Sequence, residues 1–143
     1  MLIGICAKEK DEHQTAETAV EDYLNKGYEF FAPNVIVAEV IFIFCQKLAA
    51  GLITEIEYVK AVESLKNYLI FIALTPGGKA SLIDRAVEIV RGYGCSRSSD
   101  CLYLALVEEL TKNYDAELLT FDKGMINQAA KNAPTVQVRL LPV

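Results

Sequence analysis

Three carboxylates stand at positions where their chemistry invites a role. Asp122 follows the short run Glu117–Thr120 with only Phe121 between them. If that run is a parallel strand, the acid stands at its carboxyl edge, where ligands of open α/β sheets collect. The same residue also suits the N-cap of the next helix. Asp100 falls in the first turn of a predicted helix, where a carboxylate is favoured by the helix dipole with no ligand at all. Glu39 lies inside Val35-Ile36-Val37-Ala38-Glu39-Val40-Ile41-Phe42, a stretch apolar on nearly every face. A charge buried there is costly unless a cation, a basic side chain or an exposed helix line relieves it. Carboxylates that converge repel one another and raise their own pKa unless a divalent ion offsets the charge. Oxygen donors without His or Cys favour Mg²⁺ or Mn²⁺ over zinc. An ion held this way activates water and steadies a phosphoryl transition state, which points to phosphodiester hydrolysis.

The remaining chemistry is narrow. His13 is the only histidine, and Cys6, Cys45, Cys95 and Cys101 form no Cys-x-x-Cys pair. Zinc fingers and catalytic triads built on a buried histidine are therefore excluded. Cys45 and Cys101 fall in helical apolar patterns and are expected to be buried thiols. A Cys95–Cys101 disulfide is conceivable only in an oxidising or hyperthermophilic setting. Thr75-Pro76-Gly77-Gly78-Lys79-Ala80 is a poor match to a phosphate-binding loop, because Ala73 and Ala80 stand where glycine and Ser/Thr are needed. No Gly-x-Gly-x-x-Gly fingerprint supports a dinucleotide fold. With 14 basic and 19 acidic side chains and a net charge of −5, nucleic-acid binding would need a local basic patch. Lys79, Arg85, Arg91, Arg97, Lys112 and Lys123 are candidates for one, and solvated helix faces explain them equally well.

The elements that must position these acids follow from periodicity and punctuation. Helices are predicted over 12–25, over 35–50 with Asn34 as N-cap and Gly51 as C′ residue, and from a Thr54–Glu57 capping box to 67. Further helices are predicted over 79–91, from a Ser98 or Ser99 cap to 113, and over 123–131. Extended segments are predicted over 28–32, over 69–74 as a buried strand, over 117–120 and over 135–141. Strands alternating with helices or helical pairs describe an α/β sandwich on a mostly parallel sheet. At 143 residues and 52% hydrophobic content the chain reads as a single domain, residues 1–143, with a core that needs no staples. No apolar run approaches the ~20 residues of a membrane span. The N-terminus makes a poor signal peptide, so a cytoplasmic location is expected.

Taken in order, these segments resemble the PIN-domain family, and within it the VapC-type toxins of prokaryotic toxin–antitoxin pairs. Ala32-Pro33-Asn34-Val35-Ile36-Val37-Ala38-Glu39-Val40 is similar to a family helix start in which a glutamate stands six residues after proline. Gly94-Cys95-Ser96-Arg97-Ser98-Ser99-Asp100-Cys101-Leu102-Tyr103-Leu104-Ala105-Leu106 resembles S-x-x-D-A-x-Y-x-A-L, with Arg97 in place of the serine and Cys101 in place of the alanine. Leu118-Leu119-Thr120-Phe121-Asp122 resembles L-x-T-x-D. The likeness spans residues 2–141.

The resemblance implies a three-layer α/β/α sandwich and a metal-dependent ribonuclease acting on RNA with Mg²⁺ or Mn²⁺. It implies a homodimer and a small antitoxin protein as partner. Glu39, Asp100 and Asp122 would be the metal-site acids, with Thr120 a supporting polar group and Arg97 and Lys123 the first candidates for phosphate contact. It also implies an N-terminal strand ending in a further acid, and this sequence begins just past that point. A start further upstream, true loss of that acid, or re-use of residues 2–6 as the strand would each account for the difference. Two other readings remain open: a non-catalytic PIN-like domain that binds RNA or a protein, and a phosphatase-like α/β protein, which lacks an Asp-x-Asp nucleophile.

Overall fold

The computed structural model describes residues 10–75, 80–95 and 99–142. Residues 2–6, the Pro76-Gly77-Gly78-Lys79 segment, Arg97 and Ser98 lie outside the described residues, as do the side chains of Glu12 and His13. The chain divides into two compact units, one within Met1–Thr75 with Pro142–Val143, the other within Pro76–Leu141.

In the first unit, α1 (Lys10–Asn25) buries Ala16, Val20 and Tyr23, which share one helical face by their spacing. The Tyr23 ring meets Tyr28 and Phe30 edge to face. β1 (Phe30–Pro33) pairs in parallel with β2 (Ile72–Thr75), Phe30 opposite Ile72 and Pro33 opposite Thr75. Parallel neighbours need a long crossover. Here it is a helical pair, α2 (Val35–Ala49) and α3 (Glu55–Leu69), which pack through Val40 and Phe44 against Ala61 and Leu65. Each of the large side chains contributes about 1.5–3 kcal/mol by leaving water.

Local sequence signals set most of these boundaries. α2 ends in a Schellman motif: Gly51 N–H donates to Leu48 O and Leu52 N–H to Lys47 O, both at 2.9 Å, with Gly51 at φ +68°. α3 opens on the predicted capping box. Thr54 N–H donates to Glu57 Oε2 at 2.8 Å, and Glu57 N–H donates to Thr54 Oγ1 at 3.3 Å. Asn34 departs from expectation. It sits in helical conformation (φ −55°, ψ −25°) and makes no side-chain cap bond. An N-cap side chain reaches the first amides only from extended backbone. Asn34 instead gives its backbone N–H to Thr75 O at the end of the β1–β2 ladder. The strand predicted over 69–74 starts later, because α3 runs on through Leu69. It is also not buried, with Ala73 and Leu74 exposed.

In the second unit, α4 (Ala80–Gly92) presents Leu82, Ala86 and Ile89 to a core shared with Leu104 and Val107 of α5 (Asp100–Leu110). Met125 and Ala129 of α6 (Lys123–Asn132) join the same core. β3 (Glu117–Thr120) and β4 (Gln137–Leu140) pair in parallel, with Glu117 opposite Gln137 and Thr120 opposite Leu140. α6 is their crossover. Among the described residues the strands thus form two parallel pairs, each closed by helices, as an α/β protein of this strand–helix alternation should. No helix among the described residues is long and apolar enough to cross a membrane.

Candidate metal centre

Asp122 is held from both sides by its neighbours in sequence. Thr120 ends β3, and its Oγ1 accepts the Asp122 N–H at 3.0 Å. The Thr120 carbonyl takes the N–H of Leu141 at 2.8 Å, which ties this strand end to the residue after β4. Asp122 itself is extended (φ −86°, ψ 110°), and its Oδ1 accepts the Gly124 N–H at 2.6 Å. The N-cap reading of Asp122 is therefore realised. The cap also fixes the carboxylate, half-buried, at the carboxyl edge of β3 and on the positive end of α6. A carboxylate so placed is held in one orientation at the strand edge.

Asp100 opens α5 and is half-buried, and its Oδ2 is shielded from solvent. The expected serine cap is not formed at Ser99, whose backbone is helical (φ −84°, ψ −29°) and whose side chain makes no cap bond. Asp100 thus supplies the acid of that first turn. α5 packs against β3 and α4, and α6 against β4 and α4, so the elements that carry Asp100 and Asp122 are both anchored in the second unit.

Glu39 lies in the first unit, inside α2, and is half-buried. The stretch around it is less enclosed than its composition suggests. Val40 and Phe44 are buried, while Ile41 is exposed and Phe42 is 61% exposed. The exposed helix line is thus present beside Glu39. Among the described residues, no three His, Cys, Asp or Glu side chains form a group that could hold a metal ion.

The basic candidates separate. Arg85 is engaged by Glu88 and Glu108, and Lys112 pairs with Glu109 one helical turn away. Lys123 is exposed at the first residue of α6, beside Asp122. A cation gains nothing from the dipole at that helix end. Arg97 lies outside the described residues.

Cys101 is buried, as expected, and burial pushes its thiol pKa up. Cys45 is exposed, against expectation, because α2 turns that line outward. Cys95 is also a free, exposed thiol, so no Cys95–Cys101 disulfide is present. One residue escaped the sequence reading, and another was read only as a basic-patch candidate. Gln128 is completely buried on α6, and neither of its amide heteroatoms has a hydrogen-bond partner among the described residues. Arg85, read from the sequence as a basic-patch candidate, is instead paired with Glu88 on its own helix and with Glu108 on α5.

A family model for the PIN domain matches residues 2–132. The chain belongs to the PIN-domain family. Members of that family are generally nucleases, often toxins, and generally use divalent metal ions. No curated protein matches the chain closely enough to count as a relative. The donors in hand suit a hard divalent ion by type, since Asp100 and Asp122 offer carboxylate oxygens and one of those oxygens is withdrawn from solvent.

Proposed function

We propose that this protein is a metal-dependent endoribonuclease of the VapC-like toxin type. The observation that carries the reading is the seating of Asp122 at the carboxyl edge of β3, locked by Gly124 N–H and backed by Thr120, in a chain of the PIN family. Asp100 and Asp122 would hold Mg²⁺ or Mn²⁺, and Glu39 is taken as a further acid on the family pattern of its helix. When bound, the ion offsets the repulsion between the carboxylates and lowers the pKa of water toward neutrality. Thr120 keeps the Asp122 backbone in place through its hydroxyl. Lys123 and Arg97 contact the RNA backbone, a role supported for Lys123 by its exposure beside the acid.

A protein partner, either a small antitoxin or a second copy in a homodimer, is supported by apolar side chains left in water. Ile41 and Phe42 on α2 and Ile56 and Val59 on α3 are all exposed. A cytoplasmic location accords with an RNA substrate.

The test is cleavage of a mixed-sequence single-stranded RNA by the full chain with Mn²⁺, with EDTA, and with the Glu39→Gln, Asp100→Asn and Asp122→Asn variants. Cutting that needs the metal and each acid supports the assignment. Cutting that persists in EDTA overturns it. Well-folded protein that binds the RNA without cutting it points to a binding module.

A further inference from the structure

One side chain gathers the distal parts of both acid-bearing helices. Arg85, on α4, donates from Nε to Glu108 Oε1 at 2.6 Å and from Nη2 to Glu108 Oε2 at 3.0 Å. The same Nη2 reaches the backbone carbonyl of Asn132, the last residue of α6, at 2.7 Å. Nη1 holds Glu88 on its own helix at 2.8 Å. The planar guanidinium is suited to this, because its fork matches a carboxylate while leaving other donors for a carbonyl. Glu108 raises the Arg85 pKa further, so the cation is permanent.

A second contact holds the same junction. Gly92, the last residue of α4, lies so close to Asn132 that a Cβ there would stand 2.2 Å from Asn132 Oδ1. Asn132 Nδ2 is itself buried, which leaves that side chain little room to swing.

The apolar contacts of Leu104, Val107, Met125 and Ala129 hold the helices together but are non-directional, so they fix register less sharply than hydrogen bonds do. Directional bonds set register. Glu108 lies about 12 Å along α5 from Asp100, and Asn132 about 15 Å along α6 from Asp122, at ~1.5 Å per residue. We propose that Arg85 is a positioning residue: by tying α5 and the end of α6 to α4, it sets the register in which the two helices present Asp100 and Asp122. The inference rests on the reading of those two acids as metal ligands.

The experiment compares the full chain with Arg85→Met and Arg85→Lys, with Glu88→Gln as control. Mn²⁺ affinity is read by electron paramagnetic resonance of the free ion, and backbone hydrogen exchange is read at Gly124 and Met125. Both Arg85 variants should bind Mn²⁺ at least about threefold more weakly, less than the roughly tenfold or greater loss of groups bonded directly to a metal ligand, since Arg85 acts through two helices. Their Gly124 and Met125 amides should exchange faster, while Glu88→Gln matches the parent in both readouts. A merely structural role would lower the melting temperature, speed exchange across the α4–α5–α6 core to a similar extent, and leave Mn²⁺ affinity unmoved in folded protein.

If Arg85→Met does not fold, Arg85→Lys decides, since it keeps the charge and loses the fork. Parent-like Mn²⁺ affinity and parent-like exchange in folded Arg85→Lys overturn the proposal. If the parent chain itself binds no Mn²⁺, the metal reading fails separately. Exchange then decides alone: a rise at Gly124 and Met125 larger than at the Leu104 and Val107 amides supports the register role, and a uniform or absent rise overturns it.

Discussion

Asp122 is assigned two roles, helix cap and metal ligand, and two substitutions separate them. In Asp122→Ala the bond from Gly124 N–H is lost. An N-cap carboxylate replaced by alanine costs about 1 kcal/mol, within a range of roughly 0.5–2. For a chain of 143 residues that lowers the melting temperature by about 4 °C. In Asp122→Asn the amide oxygen still accepts the Gly124 N–H, and only the interaction of the charge with the helix dipole is lost, about 0.5 kcal/mol. The Thr120 hydroxyl accepts the backbone N–H of residue 122 in either variant. The metal role depends on the charge and not on the cap. Loss of a ligand that supplies about 3 kcal/mol of transition-state stabilisation slows cleavage on the order of a hundredfold. Circular-dichroism melts and initial rates of RNA cleavage in Mn²⁺ should therefore disagree. Asparagine keeps stability and loses activity, whereas alanine loses both. If Asp122→Asn cuts as fast as the parent, or if activity merely follows stability across the two variants, the metal role is wrong and Asp122 is a cap alone.

Other outcomes follow from local geometry. The Thr54 bonds hold the Glu57 pKa below its ordinary value, so the folded state protonates Glu57 at lower pH than the unfolded chain does. Its stabilising contribution is complete above the ordinary glutamate pKa of about 4.3 and is lost as pH falls through the lowered folded value. Thermal melts from pH 6 downward should show this loss in the parent and not in Glu57→Gln, while Thr54→Ala, which keeps the backbone donor to Glu57, should show it reduced. With a thiol reagent at neutral pH, Cys45 and Cys95 should react in the native protein, and Cys101, buried with its pKa raised, only after denaturant is added. Gly51→Ala should destabilise the chain by roughly 1–2 kcal/mol in urea melts, since φ is +68° and nothing crowds the added methyl. Gly51→Asn should cost less, because asparagine tolerates that conformation better.

Expectations and structure part at identifiable places. The strand Glu117–Thr120 was legible to the residue, because the polar Asp115 and the Asp122-Lys123 stop bracket an apolar core that has only one length open to it. The strand over 69–74 was misjudged because Leu69 also satisfies the helical period of α3, and helix propagation claimed it. Composition alone suggested that α2 is enclosed. Yet a helix apolar all round still buries only the faces that find neighbours, here Val40 and Phe44, and leaves Phe42 and Cys45 in water. Of the candidate site, the Asp122 cap was legible because its partner lies two residues away, whereas Thr120 was expected only from the family resemblance.

What the sequence by itself determined is the set of features whose partners lie a few residues away. The Thr54–Glu57 box, the Gly51 helix end and the Asp122 cap are closed by bonds spanning two to five positions, and so short a segment has few ways to make them. What only tertiary structure decided is where groups found partners far along the chain. Asn34 and Ser99 have the right side chains to cap, yet their backbones are helical, and Asn34 is drawn into the ladder at Thr75. Arg85, one of several cations in the sequence, finds Glu108 at a separation of 23 residues and the carbonyl of Asn132 at 47. Packing of the helices brings those groups within reach, and a strong cation takes the carboxylate and carbonyl that packing delivers to it.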